Sequence, residues 1–185
     1  MQNNYMKQSD IKAPVHKKNL IAGSYLPAII SFLALVFVDQ ITKYYIDHTM
    51  DLYASIPVFK NIFEIHYIRN SGAAWGMFEN KQIMFYICTV IVLVVGCVFY
   101  ARCARSGRYR DIQILLVLIL SGAVGNFIDR LRFQYVIDFL YFKLIDFPVF
   151  NVADCYVTIG FFIMTFLLLF KYKEEDLEYL MKSHS

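Results

Sequence analysis

Four stretches of this chain lack charge, and that pattern constrains the fold more than any other feature. Residues 20–38 run nineteen positions without a charged side chain, 82–101 twenty and 112–128 seventeen; residues 152–170 run nineteen with a single acid, Asp154. At about 1.5 Å rise per residue, each would span roughly 25–30 Å as a helix, close to the hydrocarbon thickness of a bilayer. Only 18% of the 185 residues are charged and 58% are apolar, where a soluble chain has about 25% charged. A chain this short cannot hide so much apolar surface in a water-solvated core. The expected fold is an all-α integral membrane protein with four transmembrane helices at about 20–38, 82–101, 112–128 and 152–170.

The first stretch is too long for the h-region of a cleavable signal, about 7–15 residues, and Val36-Phe37-Val38 offers no small-residue cleavage site. It is read as a helix of the mature protein. Lys and Arg outside the helices then set the orientation. The first nineteen residues hold four, the short loop has Arg102, Arg105, Arg108 and Arg110, and the tail has Lys171, Lys173 and Lys182; segments 39–81 and 129–151 carry seven over sixty-six residues. Both termini, an N-terminal extension over 1–19 and a tail over 171–185, are expected in the cytoplasm. The two longer loops, 39–81 and 129–151, are expected outside. A net charge of +3 needs no nucleic-acid partner; the partner class is membrane lipid.

The outer loops carry patterns of their own. Residues 56–69 (IPVFKNIFEIHYIR) alternate apolar and polar side chains in part and are rich in β-branched and aromatic types, which favours short strands or a hairpin at the membrane surface. Residues 133–150 (FQYVIDFLYFKLIDFPVF) are amphipathic and aromatic, the composition of an interfacial helix or a lid. Cys88, Cys97, Cys103 and Cys155 form no CxxC or Cys–His metal spacing, and His16, His48, His66 and His184 are scattered. No metal or cofactor is expected, and no serine nucleophile motif stands out.

The acids are the informative residues. On the expected topology Asp39 ends helix 1, Asp129 ends helix 3, Asp138 lies in the loop and Asp154 opens helix 4, so all four gather at one membrane face. Carboxylates at the edge of hydrocarbon are paired, hydrated or functional. Asp39 and Lys43 are spaced i,i+4 with the acid first, favourable for a helix ion pair, so a structural or headgroup-anchoring role is expected of Asp39. Asp129 adjoins Arg130 and shares a face with Asn126, which fits a local network. Asp138 and Asp154 have no base nearby. An ordinary acid at a helix N-terminus also accounts for Asp154, and periodicity alone does not bring the two acids together.

Five blocks, DQITK (39–43), NSGAAWG (70–76), GNFIDR (125–130), VIDF (136–139) and FNVAD (150–154), resemble the successive signature blocks of the lipoprotein signal peptidase (signal peptidase II) family, in that family's order. The resemblance implies a membrane aspartyl endopeptidase that cuts diacylglyceryl-modified prolipoproteins before the lipidated cysteine. It implies Asp138 and Asp154 as the catalytic pair, with Asn70, Asn126, Asp129, Arg130 and Asn151 lining or bracing the site and Asp39 and Lys43 matching the family's first block; Gly72, as a small residue, is expected to permit close backbone approach to a peptide. It implies no cofactor or metal, a surface cradle from the first outer loop and a lid over 139–147; a monomer is expected. The family often has Gly shortly before the VxDF acid where this chain reads Arg132-Phe133-Gln134-Tyr135, so the turn there is expected to differ.

The chemistry has a logic of its own. Two carboxyls close enough to share a proton do not both ionise easily, so one activates water while the other protonates the oxyanion or leaving amine; such a pair titrates as a unit. Two other classes fit the same acids: a small ion or proton transporter, and a metal-dependent lipid-modifying enzyme using Asp129, Asp138 and Asp154. Against the first, no inverted repeat is evident; against the second, Arg130 sits beside Asp129 and no phosphate-cradling glycine loop appears.

Overall fold

The computed structural model describes residues 15–72 and 82–181. The run Ala73, Ala74, Trp75 and Gly76, most of the N-terminal extension and the last four residues lie outside them. Among the described residues four helices have the length and apolarity to cross a membrane: α1 (Val15–Thr49, with Tyr25–Thr49 as its candidate span), α2 (Gln82–Ser106), α3 (Arg110–Phe133) and α4 (Val152–Phe170). A short helix, α5 (Glu174–Met181), follows. Strands β1 (Ser55–Phe59), β2 (Phe63–Asn70) and β3 (Val136–Tyr141) form one antiparallel sheet in the order β1-β2-β3.

The helices sort by how much of themselves they hide. α3 lies between the others, packing against α1, α2 and α4. Small residues on α3 permit the close approach: a Cβ at Gly122 would collide with the Ala153 carbonyl of α4, and one at Gly125 with the Asp39 carboxylate of α1. Close backbone packing of this kind replaces the hydrophobic effect between helices in lipid. On the outside, Phe161, Phe162, Phe166 and Phe170 of α4 are exposed, a surface that suits acyl chains.

Two expectations are corrected at one end of the bundle. Helix α1 does not stop near residue 38 but continues to Thr49, so Asp39 lies inside the helix, fully buried, and anchors no headgroup. The 133–150 segment holds β3 and a single 3-10 turn at Lys143–Ile145 instead of an interfacial helix. The hairpin expected over 56–69 is present as β1 and β2. Beneath the sheet, Ile46, Tyr67, Ile137 and Phe139 form a small core that ties the end of α1 to β2 and β3.

The turn before β3 has an instructive backbone. Gln134 ends α3 in the left-handed region, φ 66° and ψ 10°, and its N–H donates to the Arg130 carbonyl at 3.1 Å. That conformation favours glycine. Here it is a glutamine that holds this glycine-type conformation.

Candidate active site

Strand pairing aims Asp138. Ile68 pairs with Asp138 and Asn70 with Val136, so Asn70 and Asp138 are diagonal neighbours on one face of the sheet. A bulge between Ile65 and Ile68 sets this register. Without its extra residue Asn70 would fall on the opposite face. As built, Asn70 Nδ2 donates to Asp138 Oδ2 at 2.8 Å, and Asn70 Oδ1 accepts from the Gly72 N–H at 3.0 Å.

A second pairing delivers Asp154. After the 3-10 turn the chain returns along β3, where Phe150 and Leu140 exchange backbone hydrogen bonds of 3.0 and 2.8 Å. The next residue, Asn151, is thereby set beside Asp138 and begins α4. Its Oδ1 accepts from the Asp154 N–H at 3.0 Å, while Asp154 Oδ2 accepts from the Asn151 N–H at 3.0 Å. This reciprocal capping box satisfies two donors at the start of α4. Asn151 Nδ2 reaches Asp138 Oδ1 at 2.6 Å, so one buried residue donates to both carboxyls, by its side chain to Asp138 and by its backbone to Asp154. Asp154 Oδ1 accepts from Asn126 Nδ2 at 2.7 Å.

The two acids share a cavity of about 650 Å³ with Asn70, Gly72, Asn126 and Arg130. Its other wall is apolar, built by Phe142, Ile145 and the 147–150 segment, with Cys155, Thr158 and Ile159 of α4. Burial, and secondly the charge of Asp154, push Asp138 up to about 7. Its carboxyl is therefore poised to hold or release a proton near neutrality. The Arg130 guanidinium lies 4.3 Å over the Phe85 ring and reaches the Gly72 carbonyl at 3.5 Å. Its buried Nε has no hydrogen-bond partner among the described residues.

Asp39, Lys43 and Asp129 do not line this cavity; they form a buried cluster behind it. Lys43 Nζ is 2.9 Å from Asp39 Oδ2 and 2.9 Å from Asp129 Oδ2. The ion partner of Asp129 is thus Lys43, from another helix, and not the adjacent Arg130. Gln40 donates to Asp129 Oδ1 at 2.9 Å and to the Gly125 carbonyl and Asp39 Oδ2, both at 3.2 Å. Asp39 Oδ1 accepts from the Ala153 N–H at 2.9 Å, joining the cluster to the first turn of α4. Sequence reasoning missed Gln40, although it lies in the DQITK block, because a neutral side chain beside an i,i+4 ion pair gives no signal. It also missed Phe85 and Tyr86, whose hydroxyl donates to the Arg130 carbonyl at 2.9 Å.

The family model of signal peptidase (SPase) II, Peptidase_A8, matches residues 31–170. The chain belongs to the signal peptidase II family. The lipoprotein signal peptidase of Caldanaerobacter subterraneus subsp. tengcongensis is 41% identical over 145 residues, covering 78% of this chain and 97% of that protein. That of Streptococcus pyogenes serotype M1 is 37% identical over 148 residues, covering 80% and 94%. A bacterial membrane enzyme solved by the in meso method at 2.3 Å superposes with a TM-score of 0.72 and 35% identity over 80% of this chain and 92% of its own. The peptidase is accordingly an aspartic endopeptidase that removes signal peptides from prolipoproteins, and its four membrane-compatible helices fit a bacterial inner-membrane protein. The transporter and metal-enzyme alternatives are not supported. The geometry agrees for the second: Asp129 is already saturated by Lys43, Gln40 and the Ile137 N–H at 3.3 Å, and is not shared with Asp138 and Asp154.

Proposed function

We propose that Asp138 and Asp154 are the catalytic pair of this peptidase and that it cuts before a diacylglyceryl-modified cysteine. The observation that carries the reading is that both carboxyls open on one cavity while Asn151 holds both from behind, Asp138 through its side-chain NH2 and Asp154 through its backbone N–H. In the reaction the ionised member takes a proton from the attacking water. The protonated member donates its proton to the developing oxyanion; as the C–N bond breaks, the proton taken from water passes to the leaving amine and the diol returns the other proton to the pair. Asn70, Asn126 and Asn151 hold the four oxygens by donating N–H groups. Arg130 and Gly72 border the space where the peptide would lie.

Supporting the lipid part of the reading, the apolar wall runs along α4 to Ile159, an exposed side chain. Acyl chains held there remain in hydrocarbon, where each buried methylene contributes about 0.8 kcal/mol. The cradle fits a place at the membrane surface: Phe59, Leu144 and Ile145 are exposed, and the Leu144 N–H meets the Ile62 carbonyl at 3.3 Å. The 139–147 segment would act there as the lid. The excess of Lys and Arg near the termini and in the short loop favours a cytoplasmic side for both termini and an outer side for the site. The working form is proposed to be a monomer with lipid contacts along its outer faces.

The test is cleavage of a synthetic diacylglyceryl-modified precursor and its unlipidated twin by purified protein. Asp138→Asn and Asp154→Asn are each expected to lower turnover by at least about 10³-fold while the protein still accumulates in the membrane. Near-normal turnover by either variant would remove that residue from the pair. Equal cutting of both precursors would remove the lipid requirement.

A further inference from the structure

We propose that Lys43 is a positioning residue for the peptidase reaction, fixing which way round the Asn126 carboxamide sits and so aiming its NH2 at Asp154. The inference rests on the assignment of Asp138 and Asp154 as the catalytic pair.

An ammonium has three N–H donors and no acceptor. All three Lys43 donors are committed: to Asp39, to Asp129, and to Asn126 Oδ1 at 2.9 Å. The side chain is 2% exposed, so water does not compete for them. A carboxamide has an acceptor end and a donor end. With the ammonium at Oδ1, Nδ2 of Asn126 must face away, and there it donates to Asp154 Oδ1. Flipping the amide would set NH2 against NH3⁺ and oxygen against carboxylate, losing two charge-assisted bonds in a buried place.

The other two amides around the pair are oriented by different means. Asn151 is held by the helix cap, its Oδ1 accepting the Asp154 N–H. Asn70 is held by the Gly72 N–H. Both devices are backbone groups that no side-chain substitution removes. Asn126 alone of the three has its oxygen held by side chains, with the Lys43 ammonium as the charged one. It also accepts from Asn151 Nδ2 at 3.0 Å, so the Lys43 bond feeds into the amide whose NH2 holds Asp138 Oδ1. An i,i+4 pair whose only task was to neutralise Asp39 would leave the third donor without a reason to reach Asn126.

The charge acts in the same direction as the geometry. Among the described residues the charged groups around the acids are Lys43 and Asp39 from α1, Asp129 and Arg130 from α3 and Asp154 from α4; of these, Lys43 offsets part of the upward push on Asp138. Losing it would make the ionised state of the pair harder to reach and move the acid limb of activity to higher pH.

Removing Lys43 alone leaves two buried acids without a counter-ion, so the informative variant is Lys43→Met combined with Asp129→Asn, which keeps the net charge of the cluster. The measurement is kcat, KM and the pH profile with the diacylglyceryl-modified precursor in detergent, against Asp129→Asn alone. The expected result is a fall in kcat of at least about tenfold, with KM little changed and the acid limb displaced upward. A folded double variant with the kcat and acid limb of Asp129→Asn overturns the proposal. Asn126→Asp supplies a second test, because it keeps the oxygen that Lys43 holds and replaces the NH2 donor with a carboxyl oxygen facing Asp154. Undiminished kcat in that variant also overturns it. Turnover by Asp138→Asn or Asp154→Asn would sink the catalytic pair itself; inactive aspartate variants beside an unaffected double variant would sink only the role of Lys43.

Discussion

The two ends of the bundle each join helices with an Asp–Lys pair, and the pairs differ in solvent more than in chemistry. At the sheet end, Lys43 is clasped by Asp39 and Asp129 with side chains at most 2% exposed. At the other end, Lys171 lies 2.6 Å from Asp111 with side chains 57% and 30% exposed. There a small apolar contact accompanies the charges: Leu180 of α5 packs with Cys103, Tyr109 and Ile112. Tyr109 donates to Asp176, Tyr172 to Asp111, and Arg102 to the Leu180 and Met181 carbonyls. α5 lies beyond the residues that match the family. One end therefore buries ions beside the proposed catalytic acids, while the other uses exposed ions around an apolar contact.

The contrast breaks first at the lysines. Lys43→Met should destabilise the protein by about 3–5 kcal/mol, because it leaves buried carboxylates without a counter-ion. Lys171→Met should change stability by less than about 1 kcal/mol, since an exposed pair is screened by water. Thermal unfolding in detergent distinguishes them, and equal losses would erase the difference between the two ends.

The next effect is a pH dependence at the sheet end. Asp138 is held at about 7 in the folded chain against an ordinary 3.8, so the folded state binds its proton more tightly than the unfolded state does. Its contribution to stability is full below about pH 4 and is lost as the pH rises through about 7. Asp138→Asn should remove that part of the slope whatever its constant offset, as read from the midpoint of unfolding between about pH 4 and 8. An unchanged slope would place the proton elsewhere.

The smallest effect sharpens the view of the turn entering β3. Gln134→Gly should stabilise by about 0.5–1 kcal/mol by relieving the left-handed backbone. Destabilisation would mean that the glutamine side chain makes up for the strain.

Much of the site was legible as residues and little of it as geometry. Asp138, Asp154 and their asparagines fall in blocks that stand out in the chain. Their mutual distances depend on a β-bulge, a return at Phe150 and a helix cap, which are pairings between distant segments. The 133–150 segment shows why such features escape a local reading: its amphipathic pattern suits an interfacial helix, yet β2 offers an edge and the segment pairs with it as β3. Asp39 shows the same on α1. A count of charges stops the helix there, while the folded helix runs on to Thr49 because Lys43 and the N–H of Ala153 satisfy the acid.

What the amino-acid sequence by itself determined was the membrane-spanning architecture, because hydrocarbon admits long uncharged segments only as helices whose backbone bonds are internal. It also determined the inventory of acids and amides from which a site could be made. Tertiary structure alone decided which acids meet, which lysine serves which carboxylate and which end of each amide faces them. Those choices follow from close packing of α3 against α1 and α4 and from sheet register, where burial makes every unpaired donor, acceptor or charge too costly to leave.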